Sequence, residues 1–252
     1  MSVNPAAAQG FSAGADAYAR GRPSYPPAAI DHIVKEFALG SGRRVLDLGA
    51  GTGIFTDLLV ETGANVVAVE PVAEMRAKLQ AALPAVTTLD GTSEAIPVDD
   101  ASVHAVTCAQ SFHWFDPMRA VPEIIRVLRP GGGLALVWNQ RDERVPWVAE
   151  MSRITRWTTE APYKRDMDWA AVVAGAARSR LSPLTLTSFA YEQPVDRETL
   201  LDRVRSISYL AAGPADELEL VLAAVLDLVR DFPERFALPY RTDVWTALRI
   251  SA

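Results

Sequence analysis

Three glycines and one acidic residue are the first residues of this sequence whose types and spacing suggest chemistry. Gly49, Gly51 and Gly53 follow a short apolar run, and Glu70 follows a second apolar run. Glycine adopts positive φ without strain and lets a ligand approach the backbone without meeting a Cβ atom. An acidic residue about 20 residues after such a loop offers two acceptor oxygens to the paired hydroxyls of a ribose. This spacing predicts a site for a nucleoside or a nucleotide.

The missing third glycine of the dinucleotide fingerprint narrows the choice of ligand. The pattern G-x-G-x-x-G needs its last glycine at position 54, where this chain has Ile54, and Gly53 falls one position early. The ribose inference is unaffected, because Glu70 keeps its place. The pyrophosphate inference is weakened. An adenosine ligand without a pyrophosphate therefore fits the pattern better than a dinucleotide does.

The elements that must position these residues are buried strands and the helices between them. Residues 45–48 and 66–69 are apolar runs, and a helical pattern begins at Ile54. Residues 86–89 are predicted as a third strand. Val103–Ala109 is apolar almost throughout, which is typical of a strand covered on both faces. Because ligands bind outside the carboxyl ends of strands in a doubly wound sheet, residues 110–115 are predicted at the ligand-binding edge.

Composition limits the class of protein. The chain has 252 residues, enough for one decorated domain or two small ones, and a net charge of -6, which disfavours affinity for nucleic acid. One cysteine excludes an internal disulfide framework, and the three histidines lack metal-ligand spacing. We find no apolar segment of about 18 residues and no signal peptide. These observations predict a cytoplasmic protein without a membrane span.

Several motifs in order resemble those of class I S-adenosylmethionine-dependent methyltransferases. They are the sequence VLDLGAGTG at residues 45–53, the acidic residue Glu70, and a helix followed by LRPGG at residues 128–132 and a strand. The segments DAYARGRPSYPP at residues 16–27 and AQSFHW at residues 109–114 are similar to those of a subgroup related to trans-aconitate methyltransferase. The resemblance is specific over about residues 18–138 and holds only in outline beyond them.

The resemblance implies a Rossmann-like α/β fold. We expect a doubly wound seven-stranded sheet, mostly parallel, with helices on both faces and a helical cap. The last strand is expected to be antiparallel, with the fifth and sixth strands as its neighbours. One domain is predicted over residues 1–252, with an N-terminal arm at 1–27, a cofactor-binding core at 28–139, and a C-terminal half with the cap at 140–252. In that half, helices are predicted at 147–157, 163–181, 200–210 and 217–232, and strands at 184–191 and 236–248.

The resemblance also implies S-adenosyl-L-methionine as the cofactor and assigns its contacts. Gly49 and Gly51 are expected at its methionine end, Glu70 at the ribose, and Gln110 beneath the reacting centre. Thr92, Ser93 and Glu94 are expected around the adenine, although many family members have Asp where Thr92 stands. The neighbouring residues expected to contact the cofactor are Asp47, Ala50, Pro71, Met75 and Ser111.

The segment before the first helix has two interpretations. Its prolines restrict the backbone to extended or turn conformations, which is typical of a surface arm. The resemblance favours a lid that closes over the methionine end of the cofactor, with Tyr18 and Arg22 as the contacting residues. Tyr25, in the same segment, is a candidate substrate contact.

The methyl acceptor is predicted to be a small molecule, not a nucleic acid. A carboxylate acceptor needs no general base, because it is already anionic at neutral pH. For a hydroxyl or an amine, His113 is the candidate base, because its unperturbed pKa is suitable. His113, Trp114 and Arg141 are candidate substrate contacts, although a buried aromatic cluster at 112–115 and a solvated charged loop at 139–145 are the plainer interpretations.

Three functions from different classes stay open on sequence alone. The favoured one is methyl transfer from S-adenosylmethionine to a small molecule. The second is a catalytically inactive relative that binds the cofactor and acts as a regulatory protein. The third is a nicotinamide-dependent oxidoreductase, which Ile54 disfavours.

Overall fold

In the computed structural model, which describes residues 21–157 and 167–250, the strands form one seven-stranded sheet. The elements in chain order are α1 (Pro27–Phe37), β1 (Arg44–Leu48), α2 (Ile54–Glu61), β2 (Asn65–Val69), α3 (Ala73–Ala82), β3 (Thr87–Leu89), β4 (Val103–Ala109), a 3-10 turn (Phe112–Trp114), α4 (Pro117–Val127), β5 (Leu128–Arg141), α5 (Pro146–Ile154), α6 (Trp169–Ala177), β6 (Thr185–Val195), α7 (Arg197–Arg205), α8 (Ser208–Ala211), α9 (Ala215–Leu228) and β7 (Phe236–Leu248).

The strand order β3-β2-β1-β4-β5-β7-β6 confirms the predicted doubly wound sheet. β1 pairs in parallel with β2 and β4, β2 with β3, and β4 with β5. The last strand, β7, is antiparallel and lies between β5 and β6, as predicted. The order reverses between β1 and β4, and in such sheets the crevice at this switch point binds the ligand.

The described residues divide into two compact units. The first, called the core unit, comprises residues 25–138, 168–189 and 242–250, and it contains the glycine loop and β1 to β4. The other, called the second unit, comprises residues 21–24, 139–157, 167 and 190–241, and it contains α5 and α7 to α9. The interpretation of residues 1–252 as a single domain stays a prediction.

The core unit is held together by apolar faces of strands and helices. α4 begins where the Asp116 side chain accepts a hydrogen bond from the Met118 N–H, with Pro117 at the first helical position. Its buried face packs on a core that includes Trp138 and Trp169, whose rings stack at 4.8 Å. Cores of this kind fix the ends of the strands that carry the site.

The structure corrects several predicted element boundaries. β5 begins at Leu128, immediately after α4, whereas the sequence predicted the strand only after LRPGG at residues 128–132. The reason is long-range pairing: the Gly131 N–H donates to the Arg249 carbonyl, and the Arg249 N–H donates to the Gly132 carbonyl. The predicted helix at 200–210 is two helices, because α7 ends at Arg205 and α8 begins at Ser208.

One further element was predicted over too long a range. The helix predicted at 163–181 is α6, which begins where the Asp168 side chain accepts from the Ala171 N–H. Positions 163–166 lie outside the described residues. In the part of the chain that the structure describes, no helix is long and apolar enough to cross a membrane.

Candidate functional site

The glycine loop after β1 follows a path that side chains would obstruct. Gly49 has φ of 72°, and a Cβ atom added there would lie 2.6 Å from the Ser111 Cβ. Gly51 also has positive φ, at 59°, with its nearest neighbour, the Met75 sulfur, 3.9 Å away from such a Cβ. Close approach explains Gly49, whereas backbone conformation explains Gly51.

Hydrogen bonds attach the loop to the carboxyl end of β2. The N–H groups of Gly49 and Ala50 donate to the Val69 carbonyl at 2.8 and 3.2 Å. The Gly51 N–H donates to the Glu70 Oε2 at 2.8 Å. The two motifs that the sequence suggested, the glycine loop and the acidic residue, are therefore in direct contact.

Glu70 is buried and held in a fixed orientation. Its Oε1 accepts from the Val72 N–H at 2.9 Å, so each carboxylate oxygen has one backbone donor. Burial raises the pKa of Glu70, against the hydrogen bonds from Val72 and Gly51 and the charge of Arg76. Each oxygen retains a second acceptor position, which is what a pair of ribose hydroxyls requires.

Asp47, which lies on β1, is buried and accepts from two threonines. The Thr56 hydroxyl donates to its Oδ2 at 2.7 Å and the Thr107 hydroxyl donates to its Oδ1 at 3.1 Å. Burial raises the pKa of Asp47 to about 6; the two hydrogen bonds act in the opposite direction, and the charge of Glu70 adds to the rise. Because Thr56 lies on α2 and Thr107 on β4, Asp47 links β1 to both of these elements. The sequence analysis missed both threonines.

The segment after β3 contains the three polar residues that were expected around the adenine. The Ser93 hydroxyl, on a buried residue, donates to the Glu94 Oε1 at 2.7 Å, and Thr92 forms an isolated bridge with Ala95. Partial burial acts to raise the pKa of Glu94, but hydrogen bonds from Ser93, Thr92 and the Asp116 N–H outweigh it and lower the pKa. Glu94 is therefore an ionised acceptor at neutral pH.

The residues after β4 complete this group of loops. Gln110 has the left-handed φ of 54°, which is uncommon for a residue with a side chain and is frequent at functional sites. The Ser111 hydroxyl donates to the Leu48 carbonyl at 2.7 Å, which joins the ends of β1 and β4. These contacts bring Gln110 and Ser111 to the same sheet edge as the glycine loop.

His113, the candidate base from the sequence, accepts a hydrogen bond within the core unit. The Trp138 indole N–H donates to its Nδ1 at 3.3 Å. An indole nitrogen is a donor only, so the neutral imidazole carries its proton on Nε2 and its one lone pair is engaged. Taking a proton from an acceptor would first require this hydrogen bond to break.

Four further predicted contacts belong to the core unit. Tyr25 is buried and packs edge-on against Phe55 at 4.9 Å. The Trp114 ring lies 5.0 Å from the His113 ring. Pro71 directly follows Glu70, and Met75 is buried on α3.

A family model and a relative that spans most of the chain together identify the family. The model, described as a methyltransferase domain, matches residues 46–136, the stretch from β1 to β5. A Mycobacterium tuberculosis protein named as an uncharacterized methyltransferase is 45% identical over 243 residues, which are 92% of each chain. The chain belongs to the methyltransferase family.

Solved structures share the fold of this methyltransferase. A candidate methyltransferase from an antibiotic biosynthesis pathway of Anabaena variabilis has a TM-score of 0.65 and 21% identity, over 89% of this chain and 98% of that one. Geranyl diphosphate C-methyltransferase of Streptomyces coelicolor, solved with Mg²⁺, geranyl diphosphate and S-adenosylhomocysteine, has a TM-score of 0.51 and 16% identity, over 89% and 78% of the two chains. These identities show the fold alone.

The class I S-adenosylmethionine-dependent assignment made from the sequence is confirmed, and with it the cofactor. The subgroup related to trans-aconitate methyltransferase stays a prediction, as do the individual cofactor contacts. Within the second unit, the Arg22 Nη2 donates to the Ser206 carbonyl at 2.9 Å, and Tyr18 lies outside the described residues. The lid role of both residues is untested.

The interpretation of residues 139–145 as a solvated charged loop is wrong for Arg141. Its side chain is buried, because it packs over the Trp157 ring and donates to the Thr155 hydroxyl. Arg144 does fit that interpretation, since it is exposed and pairs with Asp142 at 2.7 Å.

Proposed function

We propose that this methyltransferase transfers a methyl group from S-adenosylmethionine to a small-molecule acceptor by in-line displacement. The observation that carries the proposal is the contact between the Gly51 N–H and the buried Glu70 carboxylate. This contact joins the element expected at the methionine end of the cofactor to the residue expected at its ribose. Gly49 and Gly51 have positive φ, and because both are glycines the loop has no Cβ atoms at these positions, where the ligand would approach.

The residues of the site fit the cofactor. Glu70 would accept from the ribose hydroxyls, Ser93 and Glu94 would border the adenine, and Gly49 would border the methionine end. When bound, the cofactor would supply a methyl group that is already activated as a sulfonium. Transfer of that group to the acceptor would leave the electron pair of the broken sulfur–methyl bond on the sulfur.

The protein's part in this reaction is positioning. Holding the acceptor in line with the transferred methyl group and excluding water are the main sources of rate in such a displacement. Because the Nδ1 of His113 is engaged by Trp138, the geometry favours an acceptor that needs no general base. A carboxylic acid meets this condition, since it is ionised at neutral pH. The hydroxyl acceptor is the second choice.

Two lines of the sequence interpretation belong to this proposal as well. A small molecule as the acceptor is supported by the solved relative with geranyl diphosphate bound. The negative charge of the chain supports the expectation that nucleic acid is not a substrate. Location in the cytoplasm stays a prediction.

Calorimetric titration with S-adenosylmethionine, S-adenosylhomocysteine and NAD tests the proposal. We expect the two adenosyl ligands to bind at micromolar concentration and NAD not to bind. Hydrogen bonds to a charged group contribute about 1.5–3 kcal/mol each, so Glu70→Gln should weaken binding at least about tenfold. Glu74→Gln, on the exposed face of α3, is the matched control and should bind like the wild type.

Three outcomes would contradict the proposal. Binding of NAD in place of the adenosyl ligands would favour the oxidoreductase alternative. Equal binding by the Glu70→Gln and Glu74→Gln variants would remove Glu70 from the site. Tight binding of S-adenosylmethionine with no S-adenosylhomocysteine formed from any acceptor in a broad screen would favour the non-catalytic relative.

A further inference from the structure

Two buried arginines of the second unit have no acidic partner among the described residues. Arg141 is 6% exposed and Arg203 is 4% exposed. Arg141 is the last residue of β5, and Arg203 lies on α7. Burying a charge is costly unless an opposite charge or a full set of hydrogen bonds compensates it. Two such buried charges therefore lower the stability of the second unit.

The contacts of Arg141 involve only part of its guanidinium group. The Nη1 donates to the Thr155 hydroxyl at 2.8 Å, and the guanidinium carbon lies 5.1 Å from the centre of the Trp157 ring. The Nε and Nη2 atoms are both buried and have no hydrogen-bond partner among residues 21–157 and 167–250. These two nitrogens form the side edge of the guanidinium, whose parallel N–H groups match the two oxygens of a carboxylate.

The orientation of Arg141 is fixed by groups that are themselves fixed. The Thr155 hydroxyl, at the end of α5, also donates to the Met151 carbonyl at 2.9 Å. The Thr155 carbonyl accepts from the Tyr209 hydroxyl at 2.7 Å. A donor edge held in this way loses little freedom when a ligand binds, which is how preorganisation increases affinity.

Arg203 is a second buried positive charge, and its hydrogen bonds go to hydroxyl groups. Its Nε donates to the Tyr240 hydroxyl at 3.0 Å and its Nη1 donates to the Ser206 hydroxyl at 3.2 Å. Burial lowers the pKa of Arg141 to about 10, and the charge of Arg203 adds to this effect against weaker contributions from Tyr240, Tyr209 and Glu143. The two arginines therefore place two positive charges near each other, and among the described residues neither forms an ion pair.

We propose that the second unit contains a carboxylate-binding site, in which Arg141 binds the two carboxylate oxygens through Nε and Nη2 and Arg203 contributes charge. This inference goes beyond the proposed function. The described residues of the second unit all lie outside the stretch matched by the methyltransferase model.

Calorimetric titrations in saturating S-adenosylhomocysteine test this site. The probes are acetate, succinate, hexanoate and benzoate, each compared with its amide at constant ionic strength. We expect at least one carboxylate to bind at least tenfold more tightly than its amide. Arg141→Lys should weaken that binding at least tenfold, because an ammonium cannot form the paired hydrogen bonds. Arg144→Lys, from the exposed arginine three positions away, should stay within twofold of the wild type.

The failure of this inference is separable from failure of the proposed function. Titration with S-adenosylhomocysteine alone reports the cofactor site and should be identical in the wild type, Arg141→Lys and Arg144→Lys. If the cofactor product binds all three equally while carboxylates bind no better than amides, the carboxylate site is refuted and the methyltransferase proposal stands. Equal carboxylate binding by the two lysine variants, or preference for inorganic phosphate over every carboxylate, also overturns it.

Thermal stability separates recognition from a purely structural role. Replacing a buried charge that lacks a partner by an apolar side chain of similar length is neutral or stabilising. We therefore expect Arg141→Met to melt at or above the wild-type temperature in the absence of anions, and to lose the stabilisation that the binding carboxylate gives the wild type. A melting temperature several degrees below the wild type would mean that Arg141 supports the fold, and would refute the recognition role.

Discussion

Replacing Asp47 by asparagine should change how the stability of the protein depends on pH. Asp47 is buried, and its two carboxylate oxygens accept from the hydroxyls of Thr56 and Thr107. An asparagine of the same shape can keep both contacts, since its amide oxygen accepts from one hydroxyl and its NH₂ group donates to the other. The substitution therefore removes the titration of Asp47 while leaving the packing in place.

The size and the sign of the effect follow from the pKa of Asp47. Burial raises this pKa from 3.8 to about 6 in the folded chain. Well below pH 3.8 the carboxyl is protonated in both the folded and the unfolded chain. Between pH 4 and 6 the folded chain holds a proton that the unfolded chain has released, so the contribution of Asp47 to stability falls as the pH rises. At about 1.4 kcal/mol per pKa unit, the loss is about 3 kcal/mol by pH 7.

Urea unfolding at pH 4, 5, 6 and 7, at constant ionic strength, measures this contribution. We expect the free energy of unfolding of Asp47→Asn, relative to the wild type, to increase by about 2.4 kcal/mol between pH 4 and pH 7. Asp31→Asn, an exposed substitution on α1, is the matched control, and its difference from the wild type should vary by less than about 0.5 kcal/mol.

A difference between Asp47→Asn and the wild type that stays constant from pH 4 to 7 would refute the reasoning. It would mean that the two threonine hydroxyls compensate the buried carboxylate fully. A relative stability that falls with rising pH would reverse the sign and would show a lowered pKa of Asp47 in the folded chain.

Two further predictions concern the glycine loop and the core beneath it. Gly49→Ala should abolish calorimetric binding of S-adenosylhomocysteine and lower the melting temperature, because its Cβ would lie 2.6 Å from the Ser111 Cβ at a φ of 72°. Gly51→Ala, where a Cβ has space, should retain more of the binding and more of the thermal stability. Equal losses in the two variants would refute the steric argument. Trp169→Ala should cost about 3–5 kcal/mol in urea unfolding, because it removes the ring stacked on Trp138 and packed on Phe112; a loss below about 1 kcal/mol would contradict the packing.

The parts of the fold that the sequence predicts well are those set by local patterns. β4 was predicted with its observed bounds, and β7 likewise, because each is an apolar or alternating run with clear ends. The bounds of β5 were not predictable, since its first residues pair with Arg249, more than a hundred positions away. Register between distant segments leaves no mark in the periodicity of either one.

The candidate site divides in the same way. The glycine loop and Glu70 were identified because each directly follows an apolar run, and because their spacing is typical of a nucleotide-binding site. The partners of Asp47 were not identified, although an aspartate inside an apolar strand already indicates that hydrogen-bond donors must meet it. Thr107, a polar residue in the next parallel strand, was the available signal. Its contact with Asp47 depends on the register of β1 and β4, in which the two residues are paired.

The buried charges of this methyltransferase differ in how far the chain itself satisfies them. Asp47 has a donor for each oxygen, all from the protein, and so it stabilises the arrangement of β1, α2 and β4. Glu70 has one donor for each oxygen and room for more, which suits a ligand that brings hydroxyls. Arg141 has an entire donor edge without a partner in the part of the chain that the structure describes. Since an unsatisfied buried charge costs stability, a ligand that completes the hydrogen bonds of Arg141 accounts for it most simply, and a carboxylate is the group whose geometry matches.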